Sequence, residues 1–163
     1  MTAQIAERLT FEGQQVALLT NPLDLYFELG GLNPGFQSTS TALWRGYVGS
    51  WEVVNDRLYL VCLNGVLESG EDANLESVFP GFTERVFAHW YSGTLRIPQG
   101  KRIEYVHMGY GSTYERDVLL TLQNGVVINK TERCNGRASD DAPDGYAVSA
   151  MTVWPVKNNK DQA

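Results

Sequence analysis

Apolar and polar residues alternate along most of this chain, with the period of two that is typical of β-strands. The alternation is clearest in two segments of similar sequence, which begin YVGSWEV at residue 47 and YSGTLRI at residue 91. Turns rich in asparagine and glycine separate the alternating runs. The pattern predicts an all-β fold, mainly an antiparallel β-sandwich or barrel, with one or two short helices.

Turn and cap residues position the other elements. Residues 8–11 and 15–19 are expected to form an opening hairpin. Asn21 is the expected N-cap of a short helix that begins at Pro22, and residues 75–79 are expected to make one helical turn. Further strands are predicted at 86–97, 114–122, 126–130 and 146–154, and turns at 55–56, 64–65, 99–100 and 124–125.

The two similar segments are each predicted to fold as a hairpin. In the second copy, pairing Arg96 with Glu104 places opposite charges across the strands, whereas a slip of one residue would place Leu95 beside Glu104. The same register makes Gly49 and Gly93 equivalent, with space beside each of them. The predicted pairs are Val53 with Leu58, Trp51 with Leu60, Gly49 with Cys62, Ile97 with Ile103, Leu95 with Tyr105 and Gly93 with His107.

This register predicts a ligand pocket at one end of the apolar face. Arg45, Tyr47, His89, Tyr91 and His107 all fall on that face, close to the gaps left by the glycines. In such a pocket the arginine would hold an anionic group, and a histidine would serve as an acid or base near neutral pH. The alternative is that these polar groups are hydrogen-bonded within an ordinary core.

Aromatic residues predict a second, different site. Trp44 and Trp90 fall on the opposite face of the sheet, and Tyr110 follows in a glycine-rich segment. Exposed aromatic side chains of this kind are typical anchors for a protein partner. They would equally suit the core of a second layer.

Patterns for catalysis and metal binding are weak. Glu104 and His107 have ExxH spacing, but on a strand they point to opposite faces, so no metal site and no cofactor are predicted. Cys62 is expected to be an inert buried thiol. Glu115 and Asp117 are expected to be solvated charges at the start of a strand.

Composition limits the functional classes. The 163 residues carry a net charge of −6, which argues against nucleic-acid binding and against anionic membranes. No signal peptide and no transmembrane run is seen, so a cytoplasmic location is expected. We expect one β-rich domain at 1–156 and a disordered tail at 157–163.

Two resemblances add to this interpretation. The segments 40–52, 90–100 and 105–112 resemble those of an uncharacterised family of small bacterial proteins, with a match over residues 7–130 that implies no activity. Residues 49–51, Gly-Ser-Trp, resemble the G-x-W of lipocalin-like barrels, in which the tryptophan closes one end.

The sequence therefore supports two hypotheses. The first is a non-catalytic binding protein that recognises a protein partner or a ligand, in the manner of a bacterial inhibitor or immunity protein. The second is a lipocalin-like binder or small enzyme that takes a small anionic ligand in the predicted pocket. An exposed edge strand would allow a dimer.

Overall fold

The structure, a computed structural model, describes residues 3–142. An all-β fold is confirmed, because these residues form eight strands and two short helices. Neither helix is long and apolar enough to cross a membrane. The elements are β1 (Glu7–Phe11), β2 (Gln14–Leu18), α1 (Pro22–Glu28), β3 (Tyr47–Val54), β4 (Arg57–Gly65), α2 (Leu75–Val78), β5 (Val86–Phe87), β6 (Gly93–Glu104), β7 (Thr113–Gln123) and β8 (Val126–Cys134).

One mixed sheet connects all eight strands, in the order β2-β1-β3-β4-β8-β7-β6, with β5 paired to β4. All pairs of neighbours are antiparallel except β1 and β3, which run parallel with Leu9 opposite Trp51. The two ends of this order approach each other, because the Leu19 N–H donates to the Arg96 carbonyl at 2.9 Å. The sheet is nevertheless not a closed barrel.

The core lies where the sheet packs against the two helices. Leu9, Trp51 and Leu120 are almost fully buried on the strands, and Leu23 of α1 and Val78 of α2 belong to the same apolar cluster. Each helix is too short to be stable alone, so its apolar residues stabilise it by packing on the strands. The helices therefore pack against the apolar core of the sheet, and α1 contributes one wall of a cleft.

The hairpin of β3 and β4 has the predicted register over most of its length. Val53 lies opposite Leu58 and Trp51 opposite Leu60, as predicted, and the turn residues 55–56 both have positive φ. A bulge between residues 50 and 51 then shifts the register, so Gly49 lies opposite Leu63. The predicted pairing of Gly49 with Cys62 is therefore wrong.

The second predicted hairpin does not exist. β6 runs straight through the expected turn at 99–100, and Gly100, with a φ of 80°, takes part in an irregularity of the ladder. The strand pairs with β7 along its length, with Ile97 opposite Val118, and this pairing is longer than the predicted hairpin. The predicted pairs Ile97–Ile103, Leu95–Tyr105, Gly93–His107 and Arg96–Glu104 are therefore wrong.

Other boundaries differ for local reasons. Asn64 and Gly65 lie inside β4 and not in a turn, because this glycine allows close contact between strands: a Cβ on Gly65 would lie 2.5 Å from the Gly46 carbonyl oxygen. The strand predicted at 86–97 is divided into the two-residue β5 and the start of β6. The strand predicted at 146–154 and the tail at 157–163 lie outside the described residues.

The opening hairpin, the two helices and the hairpin of β7 and β8 are all present, as predicted. β8 extends further than expected, to Cys134, beyond the predicted end of this strand at residue 130. α1 begins at Pro22 as predicted, but the Asn21 side chain makes no capping hydrogen bond. Instead, its Oδ1 accepts a hydrogen bond from the Tyr110 hydroxyl at 2.6 Å.

Asp117 is a buried ion-pair centre and not the solvated charge that was expected. Its side chain is fully buried and accepts hydrogen bonds from Arg96 Nε at 3.0 Å, Arg133 Nη2 at 2.6 Å and Asn135 Nδ2 at 3.0 Å. Burial alone would raise the pKa of Asp117, but these donors outweigh it, so the pKa lies below its usual value.

Arg96 also fixes the loop between β6 and β7. Its Nη1 donates to the Tyr110 carbonyl at 2.7 Å and its Nη2 donates to the Ser112 carbonyl at 2.9 Å. The same guanidinium thus joins a buried carboxylate to the backbone of the loop. The Arg96 backbone is also hydrogen-bonded to Leu19 and Thr20, which follow β2. Arg96 therefore connects β6 with the end of β2, the last and first strands of the sheet order.

We expect Asp117→Asn to lower the free energy of unfolding by about 3 kcal/mol near neutral pH, because two guanidiniums lose their buried charge partner. A carboxylate whose pKa is lowered by folding stabilises the folded state fully when the pH is above its pKa in the unfolded chain, 3.8. That stabilisation is lost as the pH falls through the lower pKa of the folded state. Urea unfolding across this range should therefore show the variant and wild type converging in acid.

Asp140→Asn is the matched control, because Asp140 is exposed and lies 3.7 Å from an exposed arginine. This control should leave stability unchanged at every pH. An Asp117→Asn variant as stable as the control would contradict the assignment of Asp117 as a buried ion-pair centre.

Candidate functional site

A cleft of about 320 Å³ opens between α1, the segment that follows it and the start of β3. Its lining combines aromatic rings with charged and polar side chains. Two of the five predicted ligand residues are among them. The lining residues are Asp24, Phe27, Asn33, Gly35, Phe36, Arg45, Tyr47 and Glu68.

Arg45 is fixed at the wall of the cleft by a buried carboxylate. Its Nη2 donates to Glu7 Oε2 at 2.7 Å and to the Ile5 carbonyl at 2.9 Å. The Glu7 side chain is completely buried, and it also accepts hydrogen bonds from the Gly49 N–H at 2.8 Å and from Trp51 Nε1 at 2.9 Å. The arginine side chain is 8 % exposed, so this is an almost fully buried ion pair.

The charges of this pair follow from its surroundings. Burial raises the pKa of Glu7 above its usual value, and Arg45 and the other donors oppose that effect. Every hydrogen-bonding neighbour of the carboxyl group is a donor, so a protonated Glu7 would direct its own proton at another donor. Burial lowers the pKa of Arg45, but the adjacent carboxylate outweighs it and the pKa is raised. Both groups are therefore charged.

One nitrogen of this arginine has no hydrogen-bond partner. Nε of Arg45 is buried, and it is the one such unpartnered side-chain nitrogen or oxygen in residues 3–142. Buried donors are nearly always hydrogen-bonded, and leaving one without an acceptor costs stability. The guanidinium is therefore held firmly through Nη2 but is incompletely satisfied at Nε.

The glycine gaps that predicted the pocket are filled. A Cβ on Gly49 would lie 2.5 Å from Glu7 Oε1, so this glycine makes room for the carboxylate. A Cβ on Gly93 would lie 3.0 Å from the Tyr91 hydroxyl oxygen. The predicted pocket beside the two glycines is therefore wrong, and the open space lies instead in the cleft that Arg45 and Tyr47 line.

Tyr47 orients a second carboxylate. Its hydroxyl group donates a short hydrogen bond to Asp24 Oδ1. Burial raises the pKa of Tyr47, and the carboxylates of Glu7 and Asp24 raise it further, so the phenol stays neutral and acts as a donor. The Tyr47 ring centroid lies 5.1 Å from that of Phe36 and 6.2 Å from that of Phe27. Three aromatic rings thus contact one another at the cleft.

The other three predicted ligand residues lie away from the cleft. His89 is exposed, with its ring centroid 5.7 Å from that of Trp90. His107 is exposed against Tyr105, at 4.5 Å between centroids. Tyr91 is buried in the main core. The structure therefore brings Arg45 and Tyr47 together but does not bring the histidines to them.

The predicted partner-binding aromatics are also divided. Trp44 is 57 % exposed. Trp90 is half-buried, is stacked on Phe79 with 5.4 Å between ring centroids, and packs on the core, as the second-layer alternative predicted. Tyr110 is half-buried and hydrogen-bonded to Asn21. Of these three aromatics, Trp44 is the one with most of its surface open to a partner.

Sequence reasoning missed Glu7, Asp24 and Glu68. A signal for Glu7 was present, because it shares a strand face with Leu9 and so had to be buried. Asp24 lies in the first turn of α1, where an acidic residue is common, so its residue type alone does not indicate a site. In residues 3–142, no group of three or more histidine, cysteine, aspartate or glutamate residues could hold a metal ion.

No protein-family model, no curated protein and no solved structure matches this chain. The geometry of the cleft is therefore the basis for the function proposed below.

We expect Glu7→Gln and Arg45→Met each to lower the free energy of unfolding by about 3–5 kcal/mol, because each leaves one buried charge without its partner. The double variant should lose about 1–3 kcal/mol less free energy of unfolding than the sum of the losses of the two single variants, since the two residues interact directly. Urea unfolding of all four proteins measures this coupling.

The exposed pair of Glu12 and Lys130, 3.4 Å apart, is the control. The same cycle on that pair should give a coupling below about 0.5 kcal/mol. Equal couplings in the two cycles would show that the Glu7–Arg45 pair is no stronger than a surface contact.

Proposed function

We propose that this protein is a non-catalytic binding protein whose ligand site is the cleft beside Arg45 and Tyr47. The observation that carries the proposal is the buried carboxylate behind the cleft, which holds Arg45 at its wall before any ligand arrives. The cleft volume is at the lower end of the range for small-molecule sites, about 300–1,000 Å³. A rigid wall beside open space favours binding, because little ordering is needed when the ligand enters.

The charged and polar groups of the cleft favour binding over catalysis. Arg45 is committed to Glu7, and Tyr47 is a neutral donor committed to Asp24. General acid–base catalysis needs a group that exchanges a proton near the working pH. The raised pKa of Tyr47 keeps that phenol protonated, and both histidines lie outside the cleft.

A small-fragment screen tests the proposal. With the isotope-labelled full chain, we expect polar fragments to shift the backbone amide signals of Asn33, Gly35 and Glu68, because these residues line the cleft. Glu68→Trp should abolish the shifts, since the indole would occupy the space beside Gly35. The measurement is a two-dimensional amide correlation spectrum at increasing fragment concentration, with affinities expected in the millimolar range for such small molecules.

Glu71→Trp is the matched control, because Glu71 is exposed and does not line the cleft. This variant should bind fragments as the wild type does. A screen in which every responding amide lies elsewhere, or in which Glu68→Trp leaves the shifts intact, would exclude the cleft as the ligand site.

A second candidate function is recognition of a protein partner through Trp44, in the manner of an inhibitor or immunity protein. Trp44 and Met108 are 57 % and 58 % exposed. Gln4 connects the segments that carry these two residues. Its side-chain oxygen accepts a hydrogen bond from the Trp44 backbone N–H, and its backbone N–H donates to the Gly109 carbonyl. Two large apolar side chains on connected segments are suitable anchors for a partner.

We expect Trp44→Ala to abolish capture of such a partner from source cells while changing the free energy of unfolding by less than about 0.5 kcal/mol. Trp90→Ala should instead cost about 3 kcal/mol, because its ring packs in the core and its Nε1 donates to the Pro22 carbonyl. Ile128→Ala is the control, being 59 % exposed on β8. Unchanged capture by Trp44→Ala would exclude this surface.

A further inference from the structure

Building on the proposed ligand site, we infer that the cleft takes a small organic cation of the alkylammonium class. Three features of the lining support this inference. They are the balance of charge, the position of the two cleft carboxylates and the contacts of the aromatic rings.

The charge balance of the cleft is negative. Asp24 and Glu68 both line it, and neither carboxylate has an ion-pair partner within the described part of the chain. Arg45 is the cation of the lining, and Glu7 already neutralises it at 2.7 Å. Three carboxylates against one guanidinium leave two negative charges beside the open space, which attract a cationic ligand.

The two cleft carboxylates are positioned in different ways. Oδ1 of Asp24 accepts the Tyr47 hydroxyl, so the orientation of this carboxylate is fixed. The Glu68 carboxylate lies against Gly35, where a Cβ would collide with Glu68 Oε1, and the Glu68 backbone N–H donates to the Gly35 carbonyl at 3.1 Å. The chain therefore needs glycine at position 35, both for its φ of 82° and for the space that this carboxylate occupies.

The aromatic rings suit the same ligand. Phe27, Phe36 and Tyr47 line the cleft and contact one another. Faces of aromatic rings attract cations, and aromatic cages are a common means of binding quaternary ammonium groups. One cation already uses this attraction here, because the Arg45 guanidinium lies 5.4 Å from the Tyr47 ring centroid. The two phenylalanine rings remain for the methyl groups of a ligand.

An anionic ligand, which the sequence predicted, suits the cleft less well. It would face the unpaired carboxylates of Asp24 and Glu68. The positive charge of Arg45 would have to be shared with Glu7, whose hydrogen bond to Arg45 Nη2 is already made. Unpaired like charges at close range oppose binding.

Three probes of similar shape separate the possibilities. Tetramethylammonium is a cation, tert-butanol is neutral and pivalate is an anion, and each has methyl groups around a central atom. With the labelled full chain at constant ionic strength, we expect tetramethylammonium to shift the backbone amide signals of Asn33, Gly35 and Phe36. Its affinity should be at least about tenfold higher than that of either other probe. Raising the salt concentration should weaken this binding.

Charge-removing variants test the two carboxylates. Asp24→Asn and Glu68→Gln should each weaken tetramethylammonium binding about fivefold while leaving tert-butanol binding unchanged, because each removes one charge and keeps the shape. Glu132→Gln, an exposed change of the same charge on β8, is the control and should have no effect.

The outcomes distinguish this inference from the proposed function. If pivalate or tert-butanol binds at the cleft as tightly as tetramethylammonium, the inference of a cationic ligand is overturned. The cleft would then remain a ligand site. Tetramethylammonium binding that neither Asp24→Asn nor Glu68→Gln weakens would also overturn the inference. If no probe and no fragment of the earlier screen shifts the cleft amides, both the inference and the proposed function fail.

Discussion

The buried ion pair of Glu7 and Arg45 is the interaction on which the other features of the site depend. A single carboxylate receives the guanidinium, the Gly49 amide and the Trp51 indole, and so joins β1, β3 and the segment before β3. Such a pair is costly to bury and is tolerated only when its hydrogen bonds are made. Its position behind the cleft sets the charge that a ligand meets, because it neutralises the arginine and leaves Asp24 and Glu68 without a cationic partner.

Much of the fold could be predicted because strand periodicity is a local property. The hairpin of β3 and β4, the hairpin of β7 and β8, and the start of α1 all follow from alternation and turn residues close in sequence. Three of the errors occur at glycines. A close contact or a ladder irregularity, and not a gap or a turn, is found at Gly49, Gly65 and Gly100. Which of these a glycine forms depends on the strand beside it. A glycine in a strand therefore has several meanings that sequence alone does not separate.

The candidate site was less accessible to prediction. Arg45 and Tyr47 were found because alternation placed both on the apolar face of the strand. Their partners Glu7 and Asp24 come from elements far away in sequence, through the parallel pairing of β1 with β3 and the packing of α1. A parallel pair of strands has no tight turn from which it could be predicted, since its connection is a long crossover. The resemblance between the two hairpin-like segments also directed attention to histidines that the real pairing of β6 with β7 places elsewhere.

The short first hairpin occupies a special place in the chain. β1 pairs with β3 on one side, while the residue that follows β2 is hydrogen-bonded to Arg96 of β6. Both contacts join segments that are far apart in sequence, and pairings of this kind are slow to form. Until then, one edge of β3 and one edge of β6 are open. In this interval a second, partly folded copy could pair with either edge, and the first twenty residues protect the chain against that association.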